Sequence, residues 1–148
     1  MTRMALLATL LLSSPCLGFT SDAPGSESLR IDHVIVGVAD LDRGMGQFEQ
    51  LTGVRPVIGG DHPGCGSRNA LVSLGNGRYL ELLAARGDAS PSADIDVLRK
   101  LKDLTPLGWA VSTSQPQVTV RHLRQRGYGI SDPLPGSLLK PDGTMLGG

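Results

Sequence analysis

The order strand, helix, glycine, strand occurs twice along this chain of 148 residues, and the repeat restricts the possible folds more than any other feature. In the first copy, a β-branched run over residues 29–38 precedes an amphipathic helix over 41–51, which ends at Gly53. In the second copy, a strand over 107–112 precedes a helix over 117–126, which is again followed by glycine. An internal repeat of this kind predicts two copies of one supersecondary module.

The first copy continues into three further strands. A short strand is predicted over residues 54–58, interrupted by proline, and a glycine-rich loop over 59–67 follows it. Two more strands, over 69–74 and 78–83, flank the triplet Gly-Asn-Gly at 75–77, which is a strong signal for a tight hairpin turn. The first module is therefore predicted to have the order βαβββ.

The second copy is predicted to be incomplete. After its helix only a short strand over residues 128–130 and the beginning of another strand at Thr144 are visible. These observations predict an α+β fold in one domain over residues 29–148. Module one occupies 29–84, a connecting helix occupies 94–104, and the partial module two occupies 107–148.

The N-terminal segment has the pattern of an export signal. Arg3 is followed by an uncharged apolar run over residues 5–12, and Pro15 then breaks the pattern before small residues at which cleavage is plausible. The run is shorter than the roughly 20 residues that span a bilayer. We expect a signal peptide over 1–18, a flexible leader over 19–28, and a secreted or periplasmic protein without a membrane span. A cytosolic protein with a frayed apolar tail is the alternative.

Composition argues against a nucleic-acid partner. Basic and acidic residues both number 14, so the formal net charge is zero, and the chain has one Trp, two Tyr and two Phe. Binding of nucleic acid depends on neutralised phosphates and, for single strands, on stacked aromatic side chains. A small molecule is therefore the expected partner.

Four segments resemble the glyoxalase-like branch of the vicinal oxygen chelate superfamily. The likeness extends from about residue 29 to 146 and is most specific in the first module. The segments contain the following residues: Asp32-His33-Val34-Ile35-Val36 with Asp40-Leu41-Asp42, Phe48 through Leu51-Thr52-Gly53-Val54-Arg55-Pro56, Gly60 through His62-Pro63-Gly64 to Asn69-Ala70-Leu71, and Gly77-Arg78-Tyr79-Leu80-Glu81-Leu82.

The resemblance implies two βαβββ modules that form a cup-shaped mixed sheet around a divalent metal ion. In active members, the first and fourth strands of each module supply the ligands, and these positions correspond here to His33 and Glu81. Two departures are visible in the second module. Trp109, which cannot bind a metal, occupies the first-strand position, and the fourth strand is absent. A homodimer is one arrangement in which another chain would complete the module.

The chemistry of His33 and Glu81 fits this implication. A neutral imidazole and a carboxylate are ligands that Zn²⁺, Fe²⁺, Ni²⁺ or Mn²⁺ accept. His33 precedes an apolar run and Glu81 lies between leucines, and a carboxylate buried among leucines is costly unless it is paired or bound to a cation. The alternative is a structural one, in which Glu81 pairs with Arg78 or another arginine and His33 is a hydrogen-bonded core residue.

Two protein ligands are fewer than the three that a catalytic metal usually keeps. His62, in the predicted loop, is the candidate for a third ligand, a substrate contact or an acid/base group near neutral pH. An ordinary loop histidine is the alternative. Asn69 and Arg78 are candidates for binding an anionic substrate, although residues of these types are also common at the ends of hairpins.

Two classes of function follow. The first is an exported divalent-metal-dependent lyase, isomerase or dioxygenase-type enzyme that acts on a small oxygenated substrate by Lewis-acid catalysis, with Glu81 as metal ligand and catalytic base. The second is a non-catalytic module that binds a small ligand, or an inactive truncated member of the family. Metal content separates the two classes.

Overall fold

The computed structural model describes residues 4–8 and 29–147. The predicted leader over 19–28 lies outside the described residues. So does the predicted signal peptide over 1–18, apart from the five residues at 4–8.

All strands in the described residues join one mixed sheet, and three helices accompany it, so the predicted α+β class is confirmed. The strands are β1 (Met4–Ala8), β2 (Arg30–Gly37), β3 (Val57–His62), β4 (Ser67–Gly75), β5 (Arg78–Ala85), β6 (Thr105–Thr113), β7 (Ser137–Leu139) and β8 (Met145–Gly147). The helices are α1 (Leu41–Thr52), α2 (Ala93–Lys100) and α3 (Pro116–Gln125). The order of strands across the sheet is β1-β6-β2-β5-β4-β3-β7-β8.

The first module has the predicted βαβββ order. Strand β2 pairs in parallel with β5, and β5 and β3 both pair antiparallel with β4. The turn between β4 and β5 is the predicted tight hairpin, in which Asn76 has a φ of 54° and Gly77 a φ of 72°. Two consecutive left-handed residues produce the twist that a two-residue hairpin turn needs, which explains the Asn-Gly pair.

Helix α1 covers one face of this sheet. Asp40 caps its first turn by accepting a hydrogen bond from the Arg43 backbone N–H at 2.8 Å, and Gly53 ends it in the left-handed conformation. Leu41 and Met45 face the sheet and form the main hydrophobic core together with four buried residues: Val38, Ala70, Leu82 and Ala84. Burial of this apolar surface, rather than helix propensity, is what stabilises a helix of this length.

The prediction for residues 54–67 was wrong in part. The second strand begins at Val57, after Pro56, and continues to His62, so most of the predicted loop belongs to β3 and β4. The glycines that suggested a loop have a packing role instead. A side chain at Gly59 would collide with the Asn69 side chain, and one at Gly60 would collide with the β7 backbone.

The connecting helix and the second module each differ from the prediction. Helix α2 ends at Lys100 rather than at residue 104, and residues 128–130 are not a strand. Instead, the Ile130 carbonyl accepts a hydrogen bond from Arg124 Nε at 2.8 Å, which fastens this segment to α3. The strand that follows is β7, which pairs with β3 at the opposite side of the sheet from β6.

Strand β1 forms one edge of the sheet. Its backbone pairs antiparallel with β6, from Met4 opposite Thr113 to Ala8 opposite Trp109. In the described part of the chain, no helix has both the length and the apolar character needed to cross a bilayer.

Candidate functional site

The candidate site lies on the face of the sheet opposite α1, which we call the site face. Leu80, Leu82 and Ala84 of β5 pack toward the α1 side. Because side chains alternate along a strand, Tyr79 and Glu81 project from the site face. On the neighbouring strand β2, His33 is in register with Tyr79, so its side chain belongs to the same face. The sheet therefore brings His33 and Glu81 to one surface.

His33 and Glu81 contact each other in the interior of the protein. The distance from His33 Nε2 to Glu81 Oε2 is 3.4 Å, and the two residues are only 5% and 6% exposed. This separation is longer than the usual 2.7–3.2 Å of an N–H···O hydrogen bond. The pair is close enough to share a cation but is not a well-formed hydrogen bond.

A β-bulge places Asp32 beside the His33 ring. Between Ile31 and His33 the register of β2 against β6 shifts, so that Ile31 faces Val111 while His33 faces the next residue, Ala110. Asp32 is the extra residue of the bulge, so its side chain does not follow the normal alternation between the two faces of the sheet. Its Oδ2 lies 3.0 Å from His33 Nδ1. Asp32 was not predicted from the sequence, because strict alternation places it on the other face.

Tyr79 packs flat against the His33 ring. The ring centroids are 4.6 Å apart, and the angle between the ring planes is 16°. The pKa of Tyr79 is raised, first by burial, then by the negative charges of Glu81 and Asp32, and finally by a hydrogen bond with Asp32. The phenol therefore stays protonated at physiological pH. Alternation alone could have identified Tyr79, since it lies two residues before Glu81 on the same strand.

Asn69 and His62 extend the group on the other side of Glu81. Asn69 Nδ2 donates to Glu81 Oε1 at 2.6 Å and lies 3.5 Å from His62 Nε2, while His62 Nδ1 lies 3.2 Å from the Ser67 hydroxyl. Asn69 is 4% exposed, and within the described part of the chain its Oδ1 has no hydrogen-bond partner. His62 thus contacts Asn69, and Asn69 in turn contacts Glu81 of the His33–Glu81 pair. The proposed roles of His62 as a ligand and Asn69 as a substrate contact stay predictions.

Arg78 lies apart from this group. It is the first residue of β5 at the exposed hairpin, and by alternation its side chain belongs to the α1 side of the sheet. Among the described residues, the ion-pair partner of Glu81 is His33, and no arginine takes that place. The structure therefore brings together His33, Glu81, Asn69 and His62 and leaves Arg78 outside. Its substrate-binding role stays a prediction.

The donor atoms at this site fit part of a metal centre. Two ligands of one tetrahedral Zn²⁺, each about 2.0–2.2 Å from the ion, lie roughly 3.4 Å apart. His33 Nε2 and Glu81 Oε2 have this separation. Within the described ranges, however, no group of three or more His, Cys, Asp or Glu side chains is arranged to hold a metal ion. The described chain thus supplies two candidate ligands.

Comparison with known proteins agrees with the fold and with the sequence resemblance. A search of curated proteins found no match. The family model described as "glyoxalase-like domain" matches residues 31–147. This range includes all three helices and every described strand except β1 and the first residue of β2. The chain therefore belongs to the glyoxalase-like domain family, as its resemblance to the vicinal oxygen chelate superfamily implied.

Proposed function

We propose that this protein is a divalent-metal-dependent enzyme of the lyase, isomerase or dioxygenase type that acts on a small oxygenated substrate. The observation that carries the proposal is the placement of His33 Nε2 and Glu81 Oε2 at 3.4 Å on the site face. Family membership supports the choice of a small-molecule ligand. A fold alone does not identify a reaction, so the argument depends on the site.

The charges around His33 favour a cation between the two side chains. Asp32 and Glu81 have side chains that are only 12% and 8% exposed, and His33 lies between them. If the Nδ1–H group donates a hydrogen bond to Asp32, Nε2 is unprotonated and its lone pair points toward the Glu81 carboxylate. Two electron-rich atoms in this arrangement attract a cation, because a buried carboxylate is costly unless it is paired. A divalent metal ion would supply the positive charge.

The residues would divide the work as follows. His33 and Glu81 would hold the metal, which supplies Lewis-acid stabilisation of negative charge when it is bound. Because Glu81 Oε2 faces His33, Oε1 is the Glu81 oxygen that would act as the predicted base. The Asn69 N–H donates to Oε1 and orients the carboxylate. Because both ligands are nearly buried, a compact substrate fits the site better than an extended one.

Metal titration of the metal-free protein tests the proposal. We expect about one Zn²⁺, Mn²⁺, Ni²⁺ or Fe²⁺ ion to bind per chain, detected by elemental analysis after dialysis. At a free concentration 100 times the Kd, binding stabilises the folded state by about 2.7 kcal/mol, which corresponds to a rise in Tm of roughly 5–10 °C. Light scattering on the same samples tests whether the metal-bound form is the predicted homodimer.

One observation favours the second class, a metal-independent binding module. Among the described residues, no third His, Cys, Asp or Glu is placed to hold a metal ion together with His33 and Glu81. For such a module, a chelator and added metal should both leave the Tm unchanged. Absence of saturable metal binding in the titration would therefore overturn the enzymatic proposal and favour the binding module.

Export is a separate part of the proposal and is supported by the N-terminal sequence pattern alone. We expect the exported protein to lack residues 1–18, and therefore to lack β1 as well. N-terminal sequencing of the protein from the periplasm or the medium checks this prediction. Recovery of an N-terminus beginning at Met1 or Thr2 would contradict it.

A further inference from the structure

We propose that Asp32 and Tyr79 are positioning residues that fix the His33 ring with Nδ1–H on Asp32 and Nε2 toward Glu81. The consequence for metal affinity rests on the proposed function, whereas the orientation of the ring does not. The three side chains are in mutual contact: Asp32 with His33, His33 with Tyr79, and Tyr79 with Asp32.

The bulge gives Asp32 its position. Without the register shift between Ile31 and His33, the Asp32 side chain would project from the opposite face of β2. With the shift, its carboxylate lies 3.0 Å from His33 Nδ1. A carboxylate on one ring nitrogen selects the tautomer that leaves the other nitrogen available to a metal, and it raises the basicity of the ligand.

Tyr79 restrains both partners of this contact. Its ring stacks on the imidazole and limits rotation of that ring about χ2, while the Asp32 carboxylate interacts with its hydroxyl group and raises the pKa of that group. This second contact ties the carboxylate to the same strand that carries Glu81. Tyr79 therefore couples β2 and β5 at the point where their side chains meet.

A purely structural role predicts a different state of the ring. If His33 is an imidazolium held between two carboxylates, both ring nitrogens carry protons. If Asp32 positions a neutral imidazole as a ligand, only Nδ1 carries a proton. Nitrogen NMR distinguishes these states, because protonated and unprotonated ring nitrogens have very different chemical shifts.

The first arm of the experiment uses the metal-free, ¹⁵N-labelled full chain at about pH 8, more than one unit above the ordinary histidine pKa of about 6.5. Variants His62→Gln and His122→Gln assign the signals. We expect one tautomer of His33 in the wild type, with the proton on Nδ1. Asp32→Ala should give a mixture of tautomers. Asp32→Asn should keep the proton on Nδ1, because the amide carbonyl still accepts a hydrogen bond.

The second arm measures Zn²⁺ affinity by competition with a chromogenic chelator. Asp32→Ala should weaken binding by about 10- to 100-fold, as expected for the loss of a residue that orients a ligand. Tyr79→Phe keeps the stacking but removes the hydroxyl group that interacts with Asp32, and we expect binding to weaken roughly fivefold. Asp132→Ala and Tyr128→Phe are matched controls at exposed positions and should leave affinity unchanged.

The two arms separate the two proposals. A doubly protonated ring, a mixture of tautomers in the wild type, or a tautomer that Asp32→Ala does not change would overturn the positioning inference, whatever the metal result. A fixed tautomer that depends on Asp32, in a chain that binds no metal, would support positioning and reject the proposed function. An unchanged Zn²⁺ affinity in Asp32→Ala would overturn the consequence for metal binding.

Discussion

His33→Ala is expected to lower the affinity of the protein for Zn²⁺ by more than about 100-fold. The reason is that the imidazole Nε2 is one of two candidate ligands on the site face, and loss of a ligand should exceed the 10- to 100-fold cost typical of a supporting residue. Elemental analysis after extensive dialysis should find metal in the wild type and almost none in the variant. His122→Ala is the matched control, because His122 is exposed on α3.

Glu81→Gln tests the second candidate ligand, and it changes the shape of the side chain less than His33→Ala does. The amide can still accept the hydrogen bond from Asn69 at the position of Oε1, so the fold should be retained. Loss of the carboxylate charge should nonetheless weaken Zn²⁺ binding to a similar extent as His33→Ala. Glu49→Gln is the control on α1, where the half-buried Glu49 pairs with Arg55 on the opposite side of the sheet from the site face. Metal content at the wild-type level in either site variant would rule out the His33–Glu81 centre.

Leu82→Ala should cause the largest loss of stability, about 3–5 kcal/mol in the free energy of unfolding. Leu82 is fully buried at 0% exposure, at the centre of the core between β5 and α1, and no other described side chain of comparable size is as completely enclosed. The truncated side chain leaves a cavity that the surrounding residues cannot fill. The Tm should fall by roughly 6–20 °C, as measured by thermal unfolding monitored by circular dichroism.

Leu74→Ala provides the comparison for this measurement. The same chemical change is made at the end of β4, where the side chain is 58% exposed, and should alter the free energy of unfolding by less than about 0.5 kcal/mol. Equal losses in the two variants would show that α1 and β5 do not enclose the core as described.

The elements with local signals were predicted well. Strand β2, helix α1 and the β4–β5 hairpin follow from a β-branched run, an apolar stripe with a glycine cap, and an Asn-Gly turn. Each of these elements has a signal contained within a short stretch of the sequence. The family resemblance, quoted on the same segments, is confirmed by the matching family model.

The elements whose position depends on distant contacts were predicted less well. Strand β3 contains glycines that read as a loop, yet they are needed where Asn69 and β7 approach its backbone closely. Residues 128–130 have the composition of a strand, but a hydrogen bond from Arg124 ties them to α3. The next segment of the chain, β7, is the one that pairs with β3. Propensity cannot decide between such alternatives, because strand formation depends on which neighbour is available for pairing.

At the candidate site, the sequence by itself determined that His33 and Glu81 lie on the first and the last strand of one βαβββ module. Only the tertiary structure decided how the site is built around them. It placed Asp32 on the His33 ring through a bulge and His62 behind Asn69, and it left Arg78 at the exposed hairpin. The physical reason is that a shift of one residue in register changes the face on which a side chain lies, and register is set by pairing between strands that are far apart in the sequence.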